Sequence, residues 1–240
     1  MTGLAKAPPS AILTDIEGTT SAIAFVKETL FPYAERALDG FLDAQGEEAE
    51  VAACLREAAR LAKPGEDVRQ ALRRWMAEDA KIGPLKTLQG LIWRGGFQSG
   101  EIEGHLWPDV APCLRAWSRA GLYLAVYSSG SVAAQKLLFG HSIAGDLVPL
   151  FGGFFDTAVG GKREAASYAA IAQRLHRPPQ EILFLSDIAE ELDAAANAGL
   201  SVCQLVRPQD GTVPCPRHPQ APDFPAVAAL FGLPVPRLAA

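Results

Sequence analysis

The strongest constraint on the fold is an alternation that occupies the second half of the chain. The stretches LYLAVYSS (122–129), FFDTAVGG (154–161), EILFLSD (181–187) and SVCQLV (201–206) are short, apolar and rich in β-branched or aromatic residues. Between them lie SVAAQKLLFG, REAASYAAIAQRLH and AEELDAAANAG, whose apolar residues recur at helical spacing. Strands that are apolar on both sides and alternate with helices close into a parallel sheet covered on both faces, a doubly wound α/β fold. One further strand pattern, AILTD (11–15), stands far upstream. A parallel crossover needs only about a dozen residues, yet residues 16–121 intervene, far too many for a structureless loop.

That intervening sequence is itself helical in pattern: FVKETLFPYAERALDGFLDAQ, EEAEVAACLREAARLA, DVRQALRRWMAEDA and LKTLQGLIWRGGFQSG. The expected organisation is a sheet-bearing core of residues 1–19 and 108–240, interrupted by a helical cap over 20–107. WPDVAPCLRAWSRAG is the helix that returns to the sheet. The proline-rich tail from Arg207 reads as a loop ahead of one short final helix, AVAALFG.

Charge and composition remove several classes of function. A net charge of −5 offers no diffuse attraction for nucleic acid or an anionic membrane. Cys54, Cys113, Cys203 and Cys215 are scattered, with no CxxC pair to hold zinc or to cycle as a dithiol, so they read as reduced structural thiols. No apolar run approaches the ~20 residues that span a bilayer, and MTGLAKAPPSAILTD lacks the apolar centre of a signal peptide. The expectation is a soluble, cytoplasmic protein.

Ligands of open parallel sheets collect at the carboxyl ends of the strands. The first strand pattern ends on Asp15, with Glu17 two places on, then Gly18, Thr19 and Thr20. The next ends on Ser128 and Ser129, the third leads to Lys162 in GGKRE, and the fourth ends on Asp187, with Glu190 and Glu191 beyond. Acids, paired hydroxyls and a lysine, without histidine or cysteine, suit phosphoryl transfer to a carboxylate nucleophile. A phosphate dianion repels an aspartate, and Mg²⁺ is the fitting screen, because it takes oxygen ligands and needs only one or two carboxylates. Asp15 and Asp187 would supply them, while Ser128 and nearby N–H groups would hold phosphate oxygens. Two aspartates and a phosphate dianion carry four negative charges; the ion cancels two and Lys162 a third. Glu17, on the same side as Asp15 if the strand geometry persists, is the natural proton carrier.

Each of these residues has an ordinary reading when taken alone. Asp15 can be a structural turn acid, Ser128 and Ser129 can cap the next helix, Lys162 can be a solvated lysine and Asp187 a helix cap. Their order at successive strand ends reverses that balance. Glu190 reads as a solvated acid at a helix start, and Glu191 as a neighbour of the metal's ligands. His105, His141, His176 and His218 show no ligand spacing, and Trp75, Trp93, Trp107 and Trp117 read as core of the inserted subdomain rather than a stacking platform.

These motifs resemble the haloacid dehalogenase-like phosphatase superfamily. D-I-E-G-T-T, with glutamate as the second acid, is similar to the enolase-phosphatases of methionine salvage. IAFVKETLFPYA, LQGLIWRGGFQSGEIEGHLWPDV, VYSSGSVAAQKLLFGHS, FFDTAVGGKREAASYAAIA and ILFLSDIAEELDAA extend the likeness over residues 10–207. The resemblance implies conversion of 2,3-diketo-5-methylthiopentyl-1-phosphate to an enediol phosphate, followed by dephosphorylation to a reductone. It also implies one Mg²⁺ held by Asp15, Glu17 and Asp187, substrate contacts from Ser128, Ser129 and Lys162, and a monomer. Lys27 and Phe31 are weak candidates for lining the site from the cap. The alternatives are a phosphatase for another small phosphorylated metabolite and, from a different class, a non-catalytic phosphoaspartate switch. A dehalogenase would need neither Mg²⁺ nor the second acid.

Overall fold

The structure, a computed structural model, describes residues 8–236. The first seven and last four residues of the expected core lie outside that range. A six-stranded sheet of order β3-β2-β1-β4-β5-β6 forms its centre, every neighbouring pair parallel. The strands are β1 (Ala11–Thr14), β2 (Tyr123–Tyr127), β3 (Phe151–Phe155), β4 (Ile182–Ser186), β5 (Ser201–Leu205) and β6 (Gln220–Ala221). In β1 all four residues are buried. Ala11 and Leu13 point into an apolar layer with Tyr127, Phe184, Tyr168, Ile171, Leu192 and Ala195, the first two from the neighbouring strands and the last four from helices. Trp117 of α6 (Val110–Arg119) stacks on Phe224 of α10 (Phe224–Phe231), with ring centroids 5.3 Å apart.

The third strand lies earlier than the FFDTAVGG pattern places it. Its sequence is FGGFF, and the paired glycines disguise it as a turn. A Cβ on Gly152 would lie 2.3 Å from Cζ of Tyr123, so only glycine lets that ring cover the strand. Residues 156–161 instead form a turn, in which Asp156 accepts from the N–H groups of Val132 and Ala158. The tail also holds a sixth strand, too short for a periodicity to register.

Ala24–Glu103 forms one compact unit, and the rest of the described chain forms the other. The inserted unit contains α2 (Phe31–Gln45), α3 (Ala49–Leu61), α4 (Val68–Ala77) and α5 (Gly83–Ser99). Leu38, Leu42, Val51, Ala58, Leu72, Trp75, Leu88 and Ile92 are buried, an apolar stripe at spacings of three and four on each helix. Asp67 caps α4 by accepting from the N–H groups of Arg69 and Gln70. A π-helical turn, Val26–Leu30, precedes Pro32, whose missing N–H cannot bond back one turn. Among the described residues no helix is long and apolar enough to cross a membrane.

Candidate active site

Asp15 is the first residue beyond β1 and continues its ladder, donating its N–H to Leu185 O at 2.9 Å. Its own carbonyl accepts from two hydroxyls, Thr14 Oγ1 at 3.0 Å and Thr20 Oγ1 at 3.2 Å. The chain then folds back tightly: the N–H groups of Thr19, Thr20 and Ser21 all converge on Ile16 O. Gly18 makes this possible at φ 72°. A Cβ there would lie 2.4 Å from Asp187 Oδ2, so the glycine also admits the second aspartate against the turn. Glu17 is half-buried in the turn and bridges to Ser21.

Lys162 reaches this turn from the segment after β3. Its Nζ is 2.7 Å from Asp15 Oδ1 and 2.7 Å from Glu191 Oε2, so one ammonium joins two carboxylates. Glu191 belongs to α9 (Ala189–Asn197) and also accepts from Ser186 Oγ at 2.9 Å, whereas Glu190 is exposed. Glu191 therefore does more than lie near Asp187. Its place four residues after Asp187 is one helical turn, and that spacing is the signal in the sequence. The lysine's backbone is fixed by three hydroxyls donating to three consecutive carbonyls: Tyr127 to Gly160 O, Ser167 to Gly161 O and Tyr168 to Lys162 O. Ser167 and Tyr168 each reach back six residues, whereas Tyr127 acts from β2 across the fold.

Electrostatics here are unbalanced. Burial, then the Asp15 charge, pushes Asp187 up to about 7, and the same two causes raise Glu191 to about 7. Burial disfavours the charged form of Lys162, but the Asp15 and Glu191 carboxylates outweigh it and hold the ammonium above lysine's ordinary range.

Ser128 follows β2, the strand beside β1, and is buried; its N–H donates to Phe155 O at 3.2 Å and its Oγ accepts from Gly130 N at 3.2 Å. Ser129 is exposed. Neither caps the next helix, α7 (Val132–Gly140); that cap is Ser131, whose hydroxyl accepts from Ala134 N. Gln135, buried in α7, braces the loop through Nε2 donations to Gly130 O and Phe155 O, both 2.8 Å. The structure thus joins Asp15, Lys162 and Glu191 directly, sets Asp187 against the Asp15 turn, and places Ser128 and Ser129 at the adjoining strand end.

The donors suit a hard divalent cation. Asp187 Oδ1 is buried without a hydrogen-bond partner, Asp15 and Asp187 bring oxygen ligands only, and their mutual repulsion is what a cation relieves. Among the described residues no three His, Cys, Asp or Glu side chains already form a metal-holding group. A site using two carboxylates, a backbone carbonyl and waters does not require one.

The sequence matches the family model for haloacid dehalogenase-like hydrolases over residues 9–199. It is 60% identical to the enolase-phosphatase E1 of Granulibacter bethesdensis over 95% of this chain and 99% of that protein. Against its counterpart from Methylococcus capsulatus it is 52% identical, over 90% and 96% respectively. Among solved structures it is similar to the UTR4 protein of Saccharomyces cerevisiae, with a TM-score of 0.75, 34% identity, and coverage of 90% of this chain and 98% of that one. The phosphate complex of CbbY from Rhodobacter sphaeroides has the same fold at 20% identity and a TM-score of 0.60, covering 94% and 100%. The chain belongs to the haloacid dehalogenase-like hydrolase family, among its enolase-phosphatases.

Proposed function

We propose that the chain performs both halves of the enolase-phosphatase reaction of methionine salvage on 2,3-diketo-5-methylthiopentyl-1-phosphate, enolisation first and phosphate removal second. In this reading Asp15 attacks phosphorus and carries the phosphoryl group as an aspartyl-phosphate until water releases it. The observation that supports it is the Asp15–Lys162–Glu191 chain of 2.7 Å contacts beside the unpartnered oxygen of Asp187.

Lys162 uses two of its three N–H groups on carboxylates, so one is left for a phosphate or enolate oxygen. Ser128, Ser129 and nearby backbone N–H groups hold the remaining phosphate oxygens. Glu17 protonates the leaving alcohol and then takes a proton from the attacking water. A Mg²⁺ ion, one per chain, held by Asp15, Asp187 and the carbonyl or side chain of Glu17, would screen the phosphate charge and polarise the carbonyl beside the carbon that loses its proton. The helical insert is the second domain of this reading, a cap to the phosphatase core. A cytoplasmic monomer completes it.

Asp15→Asn tests the reading. Phosphate release from the diketo substrate is expected to fall ~10⁴-fold or more, and EDTA is expected to stop the wild-type reaction. Undiminished hydrolysis by the variant removes Asp15 as nucleophile. Release of phosphate without absorbance from an enediol would reduce the activity to simple phosphomonoester hydrolysis.

A further inference from the structure

The Asp15 turn is gripped from a part of the chain that the family model does not reach. The match ends at residue 199, yet Arg207, two residues past β5, is buried against the turn. Its Nη2 donates to Thr19 O at 3.1 Å. Its fork also pairs both oxygens of Asp109 at 2.9 Å, and its Nη1 donates to Pro222 O at 3.2 Å. The guanidinium lies between two rings, 5.3 Å from the Trp107 centroid and 5.9 Å from that of Phe224. Arg207 O in turn accepts from Asp210 N and Thr212 N, which closes a short loop. From that loop Asp210 Oδ1 accepts the N–H of Ile23 at 3.1 Å.

Two contacts from residues 105–107 complete the grip: His105 Nδ1 accepts from Ala22 N at 3.1 Å, and Trp107 N donates to Thr20 O at 3.0 Å. Burial holds the His105 imidazole below its ordinary range despite the Asp210 charge, which favours the neutral ring that such an acceptor requires. Four positions before the insert, Thr19, Thr20, Ala22 and Ile23, thus have their backbone held from outside the turn.

We propose that Arg207 and Asp210 are positioning residues for the nucleophile, fixing the 16–23 turn so that Asp15 and Gly18 keep their places against Lys162 and Asp187. The proposal rests on Asp15 being the nucleophile. Neither residue touches the reacting atoms; both act on backbone groups, Arg207 as a donor to Thr19 and Asp210 as an acceptor from Ile23. A turn released from these contacts lets the attacking oxygen wander, and displacements of about an ångström cost up to ~10²-fold in rate.

The experiment compares Asp210→Ala, Asp210→Asn and Arg207→Lys in the full chain, reading kcat and KM with the diketo substrate, and amide hydrogen exchange of peptides covering 16–23. Asp210→Ala is expected to lower kcat about 10- to 100-fold with little change in KM, and to speed exchange in the turn. Asp210→Asn is expected to recover most of the rate, since an amide oxygen accepts the same N–H. Arg207→Lys, which keeps the charge and loses the fork, is expected to follow Asp210→Ala; if it does not fold, the Asp210 pair still decides. A folded Asp210→Ala protein with wild-type kcat overturns the proposal, as does faster exchange without loss of rate. Equal impairment of the Ala and Asn variants overturns it too, because charge would then matter and not the hydrogen bond. Asp15→Asn, run alongside, reports on the nucleophile itself, and the exchange measurement stands whatever that variant does.

Discussion

The two compact units use charge in opposite ways. In the inserted unit the ion pairs lie on the surface and overlap: Arg69 with Asp39 and Asp43, Arg73 with Asp39, Arg74 with Glu66 and Glu78. Its interior is apolar, and the loss of one exposed pair leaves water to solvate the partner. In the sheet-bearing unit Asp15, Asp187 and Glu191 are all buried, and Lys162 is the ammonium that two of them share. Burying ions costs more than their pairing returns unless something else is gained. The difference teaches where to look for chemistry: in the unit that tolerates an electrostatic deficit, not in the one with more salt bridges.

The contrast can be broken in several places. Lys162→Met should leave the fold and lower phosphate release ~10²–10³-fold, measured as kcat under saturating Mg²⁺. No charge removal in the inserted unit should come near that; one that did would dissolve the contrast. Leu72→Ala, at a fully buried position of α4, should cost the inserted unit about 2–5 kcal/mol in denaturant unfolding, far more than any of its ion pairs.

Asp187→Asn sharpens the point through pH. The carboxyl's value in the folded chain, about 7, lies above that of an unfolded aspartate, so folding favours its protonated form. The stability this contributes is complete below about pH 4 and is lost as pH rises through 7. In metal-free protein the asparagine variant should therefore be more stable than wild type at pH 8, by on the order of 4 kcal/mol, with the advantage gone near pH 4. Added Mg²⁺ should reverse the order, because only the wild type gains binding energy. A melting temperature unaffected by the substitution at pH 8 would mean that Asp187 carries no such strain. The smallest effect belongs to Glu66, which hydrogen bonds from Arg74 hold at about 2. Its contribution is present above the unfolded value near 4.5 and fades as pH falls toward 2. Glu66→Gln should thus lower the melting temperature slightly at pH 7, not at pH 2, and leave kcat alone.

Much of this was legible in the residues. Strand and helix announced themselves wherever burial on both faces produced unbroken apolar runs, and the strand ends carried Asp15, Ser128 and Asp187 in order, with Lys162 in the segment after the third strand. The pattern failed where packing overrode local character. Gly152 and Gly153 look like a turn yet form a strand beside β2, where the Tyr123 ring leaves no room for a Cβ at Gly152. The spacing of Glu191 from Asp187 placed it near the site, but only the folded chain brings Lys162 to it. Arg207 and Asp210 lie in a proline-rich tail whose composition says loop; their partners, Thr19 and Ile23, are backbone groups that leave no mark on side-chain choice.

The strand order has a consequence for how the protein is made. β1 pairs with β2 on one side and β4 on the other, so Ala11 must wait for Tyr123 and then for Ile182. On a ribosome the segment leading to Asp15 emerges ahead of both partner strands and finds its second neighbour only after β2 and β3 have been synthesised. Contacts so distant in sequence assemble slowly, and until then an apolar strand has two open edges. Asp15 is thus translated well before the two strands that complete its surroundings.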